Sequence, residues 1–211
     1  MDLQQIYEGV IAGDAPGVKG LVQQAVGEGI PPAEIISGYL IPAMTEVGAR
    51  FERQEFYVPE MLIAARAMQR GLGVLKPLLV EGELETAGRV VMGTVKGDLH
   101  DIGKNLVCMM LEGAGFEVTD LGVDVPPERF VDTVREKGPD IVGMSALLTT
   151  TMPAMGNTIQ ALVEAGLRDK VKVLVGGAPL TQAYADRVGA DGYAPDAASA
   201  VRKAKESLGV E

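Results

Sequence analysis

Residues 89–105 read RVVMGTVKGDLHDIGKN, and this stretch decides the fold of the C-terminal part of the chain. Its first seven residues are mostly apolar and β-branched, which predicts a buried strand over 89–95. The residues that follow are polar and include Gly97 and Gly103, as expected of a loop that leads into a helix. A strand, a loop and a helix in this order indicate the first unit of an α/β domain.

Four more runs of the same character follow, separated by helical stretches. They predict strands over 116–121, 140–145, 171–176 and 192–194. Five strands joined by crossover helices form a parallel, doubly wound sheet of the Rossmann or flavodoxin-like kind. Ligands of such sheets bind beyond the carboxyl ends of the strands, near the point where the strand order reverses. The loops after the first, third and fourth strands are therefore the candidates for a binding site.

The first eighty or so residues predict helices only, because their apolar residues recur at helical spacing. The repeats are Leu3, Ile6 and Val10; then Val18, Leu21, Val22 and Ala25; then Ile35, Ile36, Tyr39, Met44, Val47 and Phe51; then Met61, Ala65, Met68, Leu72 and Leu75. Pro42 is expected to kink or restart the third run. Four helices with short connections predict a small bundle. The acidic Glu81-Gly82-Glu83 predicts a linker, which gives a helical cap over 1–82 and an α/β domain over 83–211.

Composition excludes several classes of function. With 19 Lys and Arg against 29 Asp and Glu, the net charge is −10, which disfavours nucleic acid and anionic membranes as partners. The sequence has no apolar run of eighteen residues and no signal-peptide pattern at its start, and its single cysteine fits a reducing cytoplasm. One His and one Cys cannot build a four-ligand zinc site, so a transition metal has to arrive already coordinated by another group.

The loop after the first predicted strand carries the only histidine, His100. Asp98 lies two residues earlier, so in an extended loop both side chains point the same way. The carboxylate can then accept the ring proton and orient the imidazole, as carboxylates do for metal-bound histidines. Gly103 lacks a side chain, which suits the close approach of a bulky group. The competing interpretation is that a lone histidine is an ordinary core or surface residue.

Two further loops offer weaker signals. Residues 145–153 combine hydroxyl and apolar side chains, although Thr151 before Met152-Pro153 also fits a helix N-cap. Gly176-Gly177 leaves room for a planar ring against the backbone, although it also fits a plain turn. Three such loops at one edge of one sheet form a stronger signal than any of them alone.

The pattern Asp98-x-His100-x-x-Gly103, then Ser145-x-Leu147, then Gly176-Gly177 resembles the signature of cobalamin-binding domains. It is most similar to the corrinoid proteins of methyltransferase systems and to the cobalamin module of methionine synthase. The resemblance covers essentially the whole chain, because those proteins also carry a four-helix cap before the α/β domain.

The resemblance implies a role for each matching residue. His100 displaces the dimethylbenzimidazole of the cofactor and becomes the lower cobalt ligand, while Asp98 hydrogen-bonds the imidazole. Thr151 continues this relay, where methionine synthase has a serine. The displaced nucleotide tail lies in a slot, and the neighbouring loop positions also contact the cofactor. The slot residues are Gly103, Ser145, Leu147, Thr149, Gly176 and Gly177, and the neighbouring positions are Asp101 and Ile102.

In the cap, residues 51–61 resemble the segment that covers the upper face of the corrin. The resemblance implies that Phe51, Val58 and Met61 shield the methyl group. Their alternative role is the core of the bundle, above all for Met61.

The implied function is that of a cytoplasmic methyl carrier in one-carbon metabolism, which is not catalytic alone. A substrate-specific methyltransferase loads it from methanol, a methylamine, a methoxylated aromatic or a quaternary amine. A second methyltransferase delivers the methyl group to tetrahydrofolate or coenzyme M, and a reductive activator rescues oxidised cobalt. Three alternatives stay open: an adenosylcobalamin-binding sensor, the small subunit of an adenosylcobalamin mutase, and a flavodoxin-like domain without a corrin.

Overall fold

The computed structural model describes residues 2–79 and 86–210. The chain divides into two compact units, one comprising Met1–Thr86 with Gly113–Gly115 and the other comprising Ala87–Glu112 with Phe116–Glu211. The predicted linker Glu81-Gly82-Glu83, and with it the predicted boundary after residue 82, lies outside the described residues. That boundary therefore stays a prediction.

The first unit is helical, as its periodicity predicts. Its helices are α1 (Gln4–Ala12), α2 (Ala15–Gly27), α3 (Pro32–Ile35), α4 (Ile41–Glu52) and α5 (Val58–Leu75), followed by a 3₁₀ turn at Lys76–Leu78. The apolar faces of α1, α2 and α5 contribute Ile6, Val18 and Met68 to its core, and all three side chains are buried. The predicted helical cap is confirmed. None of the described helices is long and apolar enough to cross a membrane.

Pro42 changes the third helical run without breaking it. A π-helical turn over Ile36–Leu40 joins α3 to α4, and the N–H of Ile41 donates to the carbonyl of Ile36, five residues back. Proline has no N–H and its ring crowds the carbonyl four residues earlier, so the ordinary α-helical ladder is not available there. The wider turn accommodates the ring and lets the helix continue.

The second unit is a parallel sheet with helices between its strands. The strands are β1 (Arg89–Thr94), β2 (Glu117–Asp120), β3 (Ile141–Ser145), β4 (Lys172–Gly176) and β5 (Gly192–Ala194). The helices are α6 (Ile102–Gly113), α7 (Pro127–Lys137), α8 (Pro153–Glu164), α9 (Gln182–Val188) and α10 (Ala197–Leu208), with a 3₁₀ turn at Arg168–Lys170. The strand order is β2-β1-β3-β4-β5, with all neighbours parallel. The predicted doubly wound five-stranded sheet is confirmed, and its order reverses between β1 and β3.

The predicted strands are slightly too long at their ends. Val95, Phe116 and Val171 are buried but lie outside the strands. Apolar patterns in the sequence indicate which side chains are buried, whereas a strand is defined by backbone hydrogen bonds to its neighbours. At the ends of these strands a side chain is still buried although its backbone no longer pairs.

The register aligns the strand ends that carry the candidate loops. Thr94 at the end of β1 pairs with Ser145 at the end of β3, and Ser145 pairs with Gly176 at the end of β4. The three loops singled out from the sequence therefore start at the same level of the sheet, on both sides of the β1/β3 switch point. This is where ligands of doubly wound sheets bind.

Gly177 holds two of these loops close together. Its φ is +138°, and a Cβ built there would lie 1.9 Å from the carbonyl oxygen of Ala146, the residue after β3. We expect Gly177→Ala to lower the free energy of unfolding by about 3 kcal/mol, because the backbone contact leaves no room for a side chain. Urea denaturation of the cofactor-free protein measures this change.

Gly156→Ala is the matched control for Gly177→Ala. Gly156 lies inside α8, and a Cβ there would meet only Val188, at 3.8 Å. This control should leave the stability unchanged or raise it by up to about 1 kcal/mol, since alanine favours helix. Equal stability of the two variants would contradict the close backbone contact.

Candidate functional site

The loop after β1 begins with a tight turn. The N–H of Asp98 donates to the carbonyl of Val95 at 3.1 Å, and Gly97 has a φ of +84°. A positive φ at the third position of a turn is accessible to glycine at little steric cost. The turn ends β1 and aims the following residues along the carboxyl edge of the sheet.

The carboxylate of Asp98 joins two loops. It is fully buried, and its two oxygens serve different partners. Oδ1 accepts from the backbone N–H and the ring Nδ1 of His100, at 3.1 Å and 2.7 Å. Oδ2 accepts from the N–H of Leu147 at 2.8 Å, from the N–H of Leu148 at 3.3 Å and from the hydroxyl of Thr151 at 2.7 Å. One side chain from the β1 loop therefore organises the β3 loop as well.

Two opposing effects act on the pKa of Asp98. Burial alone would raise the pKa of this carboxyl, but the hydrogen bonds from Thr151, Leu147 and His100 outweigh it and lower the pKa far below its ordinary range. Donors that converge on the charged form stabilise that form. Asp98 is therefore a carboxylate at any physiological pH, and it acts as an acceptor for the imidazole.

His100 presents one ring nitrogen to the protein and the other to the outside. Because Nδ1 donates to Asp98, the neutral imidazole carries its lone pair on Nε2. The side chain is 51% exposed, and among the described residues no protein group hydrogen-bonds to Nε2. The backbone carbonyl of His100 accepts from the buried hydroxyl of Thr94 at 2.9 Å, which fixes the residue from its other side. This is the arrangement of an oriented imidazole with a free metal-binding nitrogen.

Thr151 is not the N-cap of α8, so that alternative is wrong. The cap position is Met152, which makes no side-chain capping bond. The hydroxyl of Thr151 lies 2.7 Å from Asp98 Oδ2 and 2.9 Å from the carbonyl oxygen of Leu148. A buried carboxylate attracts a hydroxyl donor more strongly than a neutral cap does. The sequence shows the hydroxyl but not the carboxylate opposite it.

Large apolar side chains are exposed in the two loops that Asp98 joins. Leu99 and Ile102, on either side of His100 in the chain, are 71% and 82% exposed. Leu147 and Leu148, which the carboxylate of Asp98 holds near the same loop, are also exposed large apolar residues. Exposed apolar groups gathered at one place mark a binding surface rather than ordinary solvent-facing residues.

The remaining predicted contact residues of this unit lie along the same edge. Gly103 is the second residue of α6, and a Cβ built there would meet no atom within 4 Å, so the space beside it is open. Asp101 and Ser145 are partly buried and Thr149 is exposed. Gly177 starts a turn, since the N–H of Leu180 donates to its carbonyl at 3.0 Å. The turn interpretation thus describes the local backbone, and contact of these residues with a cofactor stays a prediction.

The three predicted residues of the cap have different environments. Met61 is fully buried, as a residue of the bundle core would be. Phe51 is partly buried and Val58 is exposed. Their role in covering a cofactor stays a prediction.

Asp124 is a residue of the site that the sequence patterns do not predict. Its carboxylate accepts from the N–H of Gly97 at 2.7 Å, and its own N–H donates to the carbonyl of Asp98 at 2.9 Å. Its φ of 53° is unusual for a residue other than glycine, although aspartate tolerates it better than most. The loop after β2 thus clamps the turn of the β1 loop. Only the Gly122-x-Asp124 turn pattern hints at this in the sequence.

No group of three or more His, Cys, Asp or Glu side chains is placed to hold a metal ion within residues 2–79 and 86–210. Cys108 is buried, and burial raises the pKa of its thiol to about 12. The thiol is therefore protonated at neutral pH and is not available as a metal ligand. His100 is a candidate metal ligand, because its side chain is half exposed and of its ring nitrogens only Nδ1 is bonded to Asp98.

Two family models match the chain, and both are described as B12 binding domains. One covers residues 2–76 and the other residues 88–202. A dimethylamine corrinoid protein from Methanosarcina barkeri is 49% identical over 207 residues, which is 98% of this chain and 97% of that protein.

Two solved structures also match. One is the methanol:cobalamin methyltransferase complex MtaBC from Methanosarcina barkeri, with a TM-score of 0.87, 30% identity and coverage of 97% of this chain and 78% of that chain. The other is a cobalamin-binding protein from Desulfitobacterium hafniense DCB-2, with a TM-score of 0.79, 36% identity and coverage of 98% of both chains.

The hydrogen bond from Thr151 to Asp98 should contribute measurably to stability. We expect Thr151→Val to lower the free energy of unfolding of the cofactor-free protein by about 2 kcal/mol, because a bond to a buried charge is lost. Thr151→Ser keeps the hydroxyl and should recover most of the loss. Urea denaturation at neutral pH checks both values.

Thr158→Val is the control for Thr151→Val. Thr158 is fully buried in α8, and its hydroxyl donates only to the carbonyl of Ala154, at 2.9 Å. Losing this neutral bond within a helix should cost no more than about 1 kcal/mol. Equal losses in the two valine variants would mean that the carboxylate partner adds nothing.

Proposed function

The chain belongs to the B12-binding family, and from this premise we propose that it is a corrinoid methyl carrier of a methyltransferase system. It binds a corrinoid cofactor, as the two family models and its corrinoid-protein relatives establish. The observation that supports the carrier role is His100, whose Nδ1 is held by a buried carboxylate and whose Nε2 is left exposed.

The residues at the carboxyl edge fit the cofactor. Nε2 of His100 is an imidazole nitrogen of the kind that transition metals bind, and the exposed apolar side chains of Leu99, Ile102 and Leu147 suit the apolar body of a corrin ring. The open space at Gly103 suits a bulky group beside the start of α6. His100 would be the lower cobalt ligand, with the nucleotide tail along Gly103, Ser145, Leu147, Thr149, Gly176 and Gly177. When bound, the cofactor supplies the cobalt chemistry by which a methyl group is accepted and released.

The protein's own part in this function is to orient the imidazole and to hold its proton. Asp98, with its lowered pKa, stays ionised and keeps the proton on Nδ1, so that the lone pair of Nε2 stays free. A carboxylate hydrogen-bonded to one ring nitrogen of a histidine fixes the orientation in which the other nitrogen meets a metal. Thr151 holds the second oxygen of Asp98 and so limits rotation of the carboxylate away from the ring.

The partners follow from the relatives. The dimethylamine corrinoid protein, 49% identical over nearly its whole length, supports a methylamine as the methyl donor. The MtaBC complex, a methanol:cobalamin methyltransferase, supports a partner methyltransferase for this chain. We therefore place the chain between a dimethylamine-specific methyltransferase and a second methyltransferase that serves tetrahydrofolate or coenzyme M. A reductive activator completes the proposed system.

The first test is binding of hydroxocobalamin followed by the ultraviolet–visible spectrum. Wild type should retain about one corrinoid per chain after desalting and show imidazole ligation. His100→Ala should lose that spectral signature and bind at least about tenfold more weakly, because the metal–ligand bond is absent. Added free imidazole should restore part of the signature.

Lys172→Ala is the control for this test, since Lys172 is exposed at the amino end of β4, on the opposite edge of the sheet. It should behave as wild type. If the wild-type protein releases all corrinoid on desalting, or if the spectrum of His100→Ala equals that of wild type, His100 is not the cobalt ligand.

The second test identifies the methyl donor. The reduced, corrinoid-loaded protein is mixed with a dimethylamine-specific methyltransferase and dimethylamine, and methylation is followed by its absorbance change. We expect a change in this pair and at least about a hundredfold slower change with a methanol-specific methyltransferase and methanol, since recognition of the partner surface sets the specificity. A faster response to methanol would overturn the methylamine assignment. The methyl acceptor is then identified by adding tetrahydrofolate or coenzyme M, each with its own methyltransferase. The one that reverses the absorbance change is the acceptor.

A further inference from the structure

Lys104 is a charged residue in a position that helical periodicity assigns to the core. It lies on the same stripe of α6 as Cys108 and Leu111, and all three are buried. Only 1% of its side chain is exposed. A lysine is almost never fully buried unless it is paired.

The position of Lys104 is also electrostatically unfavourable. It is the third residue of α6, and the amino end of a helix carries partial positive charge that disfavours a cation. Its ammonium is compensated by the carboxylate of Asp120, at the end of β2, with which it forms an ion pair. The Asp120 side chain is itself 40% exposed. Ion pairs in contact with solvent contribute little to stability, so stability alone does not explain why a lysine is buried here.

A continuous chain of contacts leads from Lys104 towards the imidazole. Its ammonium donates to Asn105 Oδ1 at 2.7 Å, and Asn105 Nδ2 donates to Asp101 Oδ2 at 3.0 Å. The N–H of Asn105 also donates to the carbonyl of Asp101 at 2.7 Å. Asp101 directly follows His100 in the sequence. The ion pair at β2 is thus connected to the residue beside the exposed imidazole.

The other end of this chain is anchored in the backbone. Asp120 Oδ1 accepts from the N–H of Gly122 at 2.9 Å, which fixes the carboxylate at the carboxyl end of β2. The strand β2 pairs with β1, from which the loop of His100 emerges. The first turn of α6 is therefore fastened to the strand next to the one that delivers the imidazole.

We propose that Lys104, together with Asp120, is a positioning pair for the lower-ligand loop, an inference that rests on the proposed corrinoid function. Asp98 and Thr94 hold His100 from its ring and from its carbonyl. Lys104 holds what comes after it, because Asn105 and Asp101 transmit the position of the ammonium to the start of α6. The Lys104–Asp120 pair thereby fixes the position of the His100 ring relative to the open space at Gly103. A rigid cofactor has to fit both of these features at once.

The test compares Lys104→Met and Asp120→Asn with wild type in the full chain, with hydroxocobalamin as the ligand. Methionine keeps the length and flexibility of the buried side chain without its charge, and asparagine keeps the shape of Asp120. We expect each variant to bind about tenfold more weakly, as losses in a supporting layer typically do. We also expect a reduced fraction of the bound corrinoid to show imidazole ligation in the visible spectrum. A merely structural role would not change that fraction.

Arg168→Met is the matched control. Arg168 forms a half-buried ion pair with Asp191 at 2.9 Å, and Asp191 directly precedes β5, at the amino edge of the sheet. This variant also loses an ion pair of the α/β unit, and it should keep the wild-type affinity and spectrum. Thermal unfolding of all cofactor-free variants records how much stability each loses.

The possible results distinguish the positioning role from the proposed function. The positioning role is overturned if Lys104→Met and Asp120→Asn both keep the wild-type affinity and the wild-type fraction of imidazole-ligated corrinoid. It is also overturned if Arg168→Met loses as much affinity and imidazole ligation as they do. Should Lys104→Met fail to fold, Asp120→Asn alone decides. Failure of the wild-type protein to bind the corrinoid through imidazole is a different result, because it removes the proposed function itself.

Discussion

Two loops from neighbouring strands meet at one buried carboxylate, and the site depends on that meeting. Asp98 accepts five hydrogen bonds, two from His100 and three from residues 147–151. A buried charge is costly unless donors surround it, so the two loops have to close around the carboxylate together. The same bonds lower the pKa of Asp98 and keep it an acceptor. Orientation of the imidazole and order in the second loop are therefore consequences of one interaction.

The sheet makes that interaction possible through its register. Thr94, Ser145 and Gly176 form one row across β1, β3 and β4, so the three loops leave the sheet at the same height. Gly177 then allows the β4 loop to approach the carbonyl of Ala146, a distance that no side chain would permit. The parallel sheet thus aligns the starts of the three loops, and Gly177 allows the β3 and β4 loops to lie close together.

The sequence predicts the parts of the fold that repeat and the parts of the site that lie close together in the chain. Helical stripes in the cap, five strands and the Asp98–His100 spacing are all local patterns, and they are found where expected. Contacts between residues far apart in the chain are not predicted by such patterns. By sequence, Thr151 fits a helix cap equally well, and Asp124 belongs to no periodic pattern. Both act on the β1 loop from far along the chain. Thr151 donates to Asp98, 53 positions away, and Asp124 accepts from Gly97, 27 positions away. Lys104 interrupts an apolar stripe of α6 and its partner Asp120 ends β2, so no local pattern of the sequence predicts their ion pair.

Around His100 the usual distribution of charged and apolar side chains is reversed. Asp98 and Lys104 are buried and each is paired, whereas Leu99 and Ile102 are exposed to solvent. An exposed leucine or isoleucine stabilises nothing in the isolated protein, and a buried ammonium at a helix start opposes the helix dipole. Departures from the local rules of folding gather at functional positions, where a ligand or a required geometry compensates for them. Their concentration within seven consecutive residues, 98–104, identifies this loop as the part of the α/β unit shaped for a bound partner rather than for the stability of the fold.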